Sequence, residues 1–289
     1  AARLIARRWP ASRRGAGAQA DLTWAWRGLT DAAELLREAG DEGGAASAST
    51  QAAACRAAIY AALPDGGAID ALRACEPDGP LPAGDRRVDE LLGAVRGTAG
   101  PAVLNTWERT GLSPLATLRV ARLEAVRGET QAMDRIRWAA TAASDTFSWP
   151  QAIHPTLGGG TAGDGHDLRT SAMFLLAVRS LLVHDPIDVR NGPTLVLCPL
   201  LPAEWEGQEL EVHDAPTSLG QLSFAVRWHG AHPALLWELR PHEGVGPVTI
   251  RAPGLDPSWS SAVPKGEQLL GAIAAETASG SPPGTPGRL

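Results

Sequence analysis

Trp149-Pro150-Gln151-Ala152-Ile153-His154-Pro155-Thr156-Leu157-Gly158-Gly159-Gly160-Thr161-Ala162-Gly163-Asp164-Gly165-His166-Asp167 runs directly into an almost wholly apolar stretch, Leu168 to Val183. The first segment gathers five glycines, two histidines, two carboxylates and a tryptophan into one loop. Glycine lets backbone approach a ligand closely, and a loop held by a rigid buried helix is where binding groups commonly sit. From Ala172 to Val183 only Arg179 and Ser180 interrupt the apolar run. A helix apolar nearly all round needs cover on more than one side, which two concentric layers of helices supply better than a simple bundle.

Outward from that helix the two halves of the chain differ in period. Before Asp185 the sequence predicts helices in pairs: Asp21–Ala39 ended by Gly40, Gln51–Leu63 stopped by Pro64, a short Ala68–Cys75, and Asp85–Arg96. Ser113-Pro114 is a strong helix start, with serine as cap and proline in the first turn, and that helix runs to Arg127. Glu129–Ser144 follows, with Met133, Ile136, Ala140 and Ala143 on one face. After Pro186 the period drops to two. Leu222, Phe224, Val226 and Trp228 alternate with small or polar residues, as do Leu235, Trp237 and Leu239. Shorter runs at Thr194–Cys198, Glu209–His213 and Val248–Arg251 complete an expected antiparallel sandwich. The Ala-, Gly-, Ser- and Pro-rich stretch from Ser258 reads as disordered. The expected domains are a helical 1–185, a sandwich over 186–257 and a tail over 258–289.

Composition narrows the classes of function. The 289 residues are 44% hydrophobic and 20% charged, as in a globular chain. No apolar run is long enough to span a bilayer. A net charge of −6 argues against nucleic acid as partner; the abundance of arginine over lysine (Lys265 alone) is a compositional bias. The three cysteines, Cys55, Cys75 and Cys198, follow no metal or redox spacing. They fit reduced thiols in cytoplasm, with a Cys55–Cys75 bridge as the alternative. Ala1–Pro10 is basic, lacks the apolar core of a signal peptide and has no initiating Met, so the chain is expected to begin inside a longer product.

The residues that carry this pattern resemble a known superfamily. Paired helices, then Trp149–Asp167, then a buried helix ending Leu181-Leu182-Val183-His184-Asp185-Pro186, then a sandwich containing Asp214-Ala215-Pro216-Thr217-Ser218-Leu219-Gly220, are similar to the C-terminal part of six-hairpin glycosidases. The similarity covers roughly residues 20–255, and Thr110-Gly111-Leu112-Ser113-Pro114 also fits. It implies an (α/α)6 toroid of twelve helices with an appended β-sandwich. About seven helices are expected here, so the resemblance implies about half a toroid, partnered by a missing N-terminal half of the same polypeptide. It also implies an oligosaccharide or glycoside substrate, with general acid and base on separate loops. Where relatives often carry a carboxylate this chain has Gln151, whose amide can bind a hydroxyl but cannot act as a base.

Glycoside hydrolysis uses two carboxyls across the scissile bond. Asp164, between glycines, is the candidate base and Glu108 the second candidate carboxylate. Asp167 is a substrate contact or the cap of the helix it precedes. Trp149 and Trp107 are candidate platforms for a sugar face, and Gln151, His154 and His166 are candidate hydroxyl contacts. No nucleotide fingerprint is present, and no cofactor or metal is expected. Phosphorolysis, with His166 and Arg169 at a helix start holding phosphate, and a catalytically degenerate glycan-binding or scaffold protein are the competing readings.

Overall fold

A computed structural model describes residues 18–63, 67–75, 79–96, 100–104, 111–185 and 192–272. Within them lie seven α-helices and three sheets. Helices α1 (Ala18–Glu38) and α2 (Glu42–Ala62) pack as a hairpin. The connection turns at Gly40, with φ +76°, where a left-handed backbone favours glycine. Helix α2 begins nine positions before the expected Gln51. Asp41 is the reason: its carboxylate accepts the Gly44 amide at 2.8 Å and so satisfies a free donor of the first turn. The stripe Ala45, Ala48, Ala52, Cys55 and Ile59 is buried.

Next come α3 (Ala68–Ala71), continued as a 3₁₀ turn over Leu72–Cys75, and α4 (Arg86–Val95), capped by Asp85. Helix α5 (Pro114–Val126) starts as the sequence predicts: the Ser113 hydroxyl accepts the Ala116 amide at 3.2 Å and Pro114 occupies the first turn. Helices α6 (Gln131–Thr141) and α7 (Leu168–Leu182) pack on it. Helix α5 is the axis of the helical part. Ala116, Val120 and Leu123 join an apolar cluster with α1 to α4, while Leu115, Leu118, Ala121 and Ala125 join a second with α6, α7 and Leu200.

One expectation is corrected here. Helix α7 buries Met173, Ala177 and Leu181, yet leaves Leu168 80% and Leu175 70% exposed. The helix covered on several sides is α5. Trp24 and Leu35 of α1 are also exposed.

Charge ties the helices together. Glu124 of α5 is fully buried, and its carboxylate meets Arg96 at 3.2 Å and Arg135 of α6 at 2.8 Å. Arg135 also donates to the Pro101 carbonyl at 2.6 Å.

Beyond α7, strands β3 (Val183–His184), β4 (Thr194–Leu197), β8 (Thr249–Ala252) and β9 (Asp256–Ser261) form one sheet in that order. The sheet β10–β7–β6–β5 comprises β5 (Leu210–Pro216), β6 (Gly220–His229), β7 (His232–Pro241) and β10 (Lys265–Leu269). Both sheets feed one apolar cluster that includes Leu195, Leu197, Leu222, Phe224, Leu235, Trp237 and Ile250. The small sheet β1 (Ala152–Ile153) with β2 (Gly160–Ala162) lies ahead of α7. Two strand expectations need correction. The β4–β8 pair is parallel, because the intervening chain passes through the other sheet before returning. The tail expected to be disordered from Ser258 contributes β9 and β10, and Trp259 and Leu270 pack on the cluster; the polar residues between them occupy strand faces open to solvent. Residues 273–289 of that tail lie outside the described residues.

Where α7 passes into the sheets, the Cys198 amide donates to the Leu182 carbonyl at 2.9 Å, and the Gly254 amide donates to the Cys198 carbonyl at 2.9 Å. All three cysteines are free, and burial pushes the Cys198 thiol up to about 12. His184, partly buried beside Arg122 and Arg179, is held down to about 4; burial is the main cause, the two cations add to it, and Asp185 opposes it.

Glu124→Ala leaves Arg135 buried without its carboxylate and is expected to lower unfolding free energy by about 3–5 kcal/mol, measured by urea denaturation. For His184 the unfolded chain, near the ordinary 6.5, binds a proton that the folded chain refuses down to about 4. Stability therefore falls as pH drops through that window. His184→Gln is expected to remove about 3 kcal/mol of that fall, read as the difference between wild-type and variant stability at pH 7 and pH 4.

Candidate functional site

The stretch Trp149–Asp167 folds as a β-hairpin on a buried root. Trp149 is 1% exposed, its indole donates to the Ala139 carbonyl at 2.8 Å, and its ring lies 5.2 Å from that of Phe174. It therefore anchors the hairpin between α6 and α7. This corrects its assignment as a sugar platform: a ring enclosed on both faces presents nothing to a ligand. No local signal separates this enclosed ring from that of Phe147, two residues earlier, which follows the same helix and leads into the same loop.

From the root the two strands run outward, with a shift of register between Ala152 and Ile153. The Gln151 amide donates to the Ala162 carbonyl and the Asp167 amide to the Trp149 carbonyl, at 2.9 and 2.8 Å. Gly163 lies against Gln151: a Cβ added at Gly163 would come within 2.9 Å of Gln151 Cγ. The close packing of the strands thus requires glycine here, and it sets Gln151 beside the Gly163-Asp164 backbone.

The hairpin is also fixed along its outer edge. Leu112 and Ile153 exchange backbone hydrogen bonds at 2.8 and 2.9 Å, and the Ser113 amide donates to the Val103 carbonyl at 2.7 Å. Thr117 closes the same corner by accepting the Val103 amide at 2.9 Å.

The polar side chains then separate by role. Asp167 is committed to structure. Its carboxylate, 8% exposed, accepts the Arg169 guanidinium at 3.0 Å and the Thr170 hydroxyl at 2.8 Å as α7 begins. Asp167 stands at the N-cap position, but its side chain accepts no backbone amide of the first turn, so it ties the helix start through side chains instead of capping it, and the substrate-contact reading is corrected. Asp164 is exposed and accepts the His166 amide at 3.0 Å. Its carboxylate and the exposed His166 imidazole both face solvent, with exposed Gln151 across the stem. His154 sits at the far end. Its Nδ1 accepts the Thr156 and Leu157 amides, both at 3.1 Å, which leaves Nε2 as the protonated, outward nitrogen. Three residues of strand separate it from Gln151, about 10 Å, so the hairpin does not gather His154 with Asp164. Among the described residues no three His, Cys, Asp or Glu side chains could hold a metal ion together.

Trp107 and Glu108 lie outside the described residues. A shallow cleft of about 480 Å³ lies elsewhere, along α6, lined by Pro101, Gln131, Asp134, Arg135, Trp138 and Thr141. Its two arginines are engaged: Arg135 with Glu124, and Arg137 with Asp134 at 3.1 Å and with Glu204. The hairpin side chains do not line it. No protein-family model matches the chain, and no curated protein matches it. No helix among the described residues is long and apolar enough to cross a membrane.

Trp149→Ala is expected to cost about 3–5 kcal/mol of stability, as for a large aromatic removed from a core. Thermal unfolding distinguishes this from a surface platform, whose loss would leave the melting temperature unmoved.

Proposed function

We propose that the chain forms the later part of a carbohydrate-active protein of the (α/α)6-toroid type, followed by a β-sandwich. In this reading the glycine-rich hairpin is the glycan-facing loop. The observation that carries it is the division of labour within the hairpin: Trp149 and Asp167 are spent on anchoring, while Gln151, Asp164 and His166 stand exposed on the rigid stem. Rigid support beneath exposed polar groups is the arrangement that glycan recognition and acid–base chemistry both need. The resemblance stated above supplies the substrate class. Seven helices among the described residues, against the toroid's twelve, and the exposed apolar side chains of α1 and α7 agree with a chain that supplies about half of the ring.

The reaction proposed is hydrolysis of a glycosidic bond, with Asp164 as general base and Glu108 as the second carboxylate. Phosphorolysis fits less well at this end of α7. The Asp167 carboxylate stands at the helix start with Arg169 paired to it, so an incoming phosphate meets a negative charge there.

A glycan-binding protein without turnover is the second reading. It is favoured by Gln151, and by the absence of a second free carboxylate beside Asp164 among the described residues.

In the full natural protein, Asp164→Asn is expected to lower turnover of maltose, trehalose or starch-type oligosaccharides by about 10²–10⁴-fold, the usual contribution of a positioned general base, with substrate affinity changed far less. Turnover equal to wild type overturns the catalytic assignment. Glycan binding by a wild-type protein that turns over none of these substrates establishes the second reading instead.

A further inference from the structure

Phe147 stands out in the turn ahead of the hairpin. Its φ is +53°, a region that L side chains occupy at a cost and where glycine is the ordinary choice. The turn is Ser144–Phe147, closed by the Phe147 amide donating to the Ser144 carbonyl at 2.9 Å. The Ser144 amide in turn donates to the Ser148 carbonyl at 2.9 Å. The last position of such a turn favours glycine. Elsewhere among the described residues eleven glycines take positive φ, and the only other residues that do so are Cys198 and Asp214. Cys198 is buried at a bend, and the Asp214 amide is held by the Ser223 hydroxyl. Phe147 has no such compensation in packing: its side chain is 63% exposed.

The other two phenylalanines are packed. Phe174 lies against Trp149, and Phe224 is in the core of the sheets. Of the three phenylalanines Phe147 alone presents its ring to solvent, on backbone where a side chain is costly. That ring is also well positioned. Two residues on, Trp149 is locked to Ala139 and Phe174, and its carbonyl accepts the Asp167 amide. The anchor that holds the hairpin stem therefore holds the Phe147 turn as well.

We infer that Phe147 is the aromatic platform of the glycan site, stacking on the apolar C–H face of a pyranose whose hydroxyls meet the exposed hairpin groups. The inference rests on the glycan reading proposed above and replaces Trp149 in the platform role. The chemistry suits the ligand: a pyranose offers one face of C–H groups with hydroxyls around its rim, and an exposed ring held by the same root as exposed Gln, Asp and His side chains offers a partner for each surface.

The test uses the full natural protein with a linear malto-oligosaccharide as probe, read by calorimetric titration, together with thermal unfolding of each variant. Phe147→Gly relieves the backbone and removes the ring. It is expected to raise the melting temperature by a few °C and to weaken binding about tenfold, the worth of one aromatic contact. Phe147→Trp is expected to retain binding, and His166→Ala to weaken it. Glycine-variant affinity equal to wild type, with His166→Ala still weakened, overturns the platform and leaves the glycan reading standing. A fall in melting temperature for Phe147→Gly assigns the ring to packing, and a changed oligomeric state at unchanged affinity assigns it to a protein contact; either overturns the platform. A wild-type protein that does not bind the probe overturns the glycan reading itself, and the platform with it.

Discussion

A carboxylate without exposed surface, Glu124, organises the helical part of this chain. Taking one charge out of water costs several kcal/mol even after relaxation, so the surroundings must supply opposing charge with good geometry. They do so from two directions, through Arg96 at the end of α4 and Arg135 on α6. Arg135 then reaches the Pro101 carbonyl. Two residues further on, Val103 bonds with Ser113 and Thr117, and Leu112 in turn pairs with Ile153 of the hairpin. A continuous line of polar contacts therefore runs from the last turn of α5 to the outer edge of the candidate site. An apolar residue at 124 would leave the buried Arg135 without its carboxylate and loosen the guanidinium that holds Pro101.

The hairpin has a second, apolar support in Trp149, and the two supports act on different sides. The indole holds the root between α6 and α7, while the Leu112–Ile153 pairing holds one strand edge. A glycine-rich segment has large conformational freedom to lose on folding. Two independent restraints let it keep one shape while its polar groups stay in solvent. This is the physical basis for proposing glycan contacts at Gln151, Asp164 and His166 rather than at the anchors themselves.

Much of this was legible in the residues because it depends on local chemistry. Ser113-Pro114 announced α5, Asp85 marked the start of α4, and alternation from Leu222 to Trp228 and from Leu235 to Leu239 located β6 and β7. What was not legible depended on tertiary partners. Trp149 and Phe147 are both aromatic residues flanking the same loop, and no pattern in the sequence says which ring the helices enclose. The start of α2 was hidden because Gly43 and Gly44 argue against helix, whereas the Asp41 cap and the packing against α1 decide for it. Strands β9 and β10 were lost among small and polar residues, because each owes its stability to a neighbouring strand and to a few buried contacts such as Leu270. Helix α7 was misread in the opposite sense: its apolar composition was taken as evidence of cover that the described residues do not supply.

Helix α7 has a mechanical consequence. Its 15 residues make a rod about 22 Å long, joined at one end to the hairpin through Asp167 and Trp149 and at the other to both sheets. At the far end the Leu182–Cys198–Gly254 bonds, the Arg179 contact with the Pro216 carbonyl and the Asp185 carboxylate on the Ser218 amide all grip within one short span. Held at both ends and packed along its length on α5 through Met173, Ala177 and Leu181, the rod sets a fixed spacing between the sheets and the hairpin that carries Asp164 and His166.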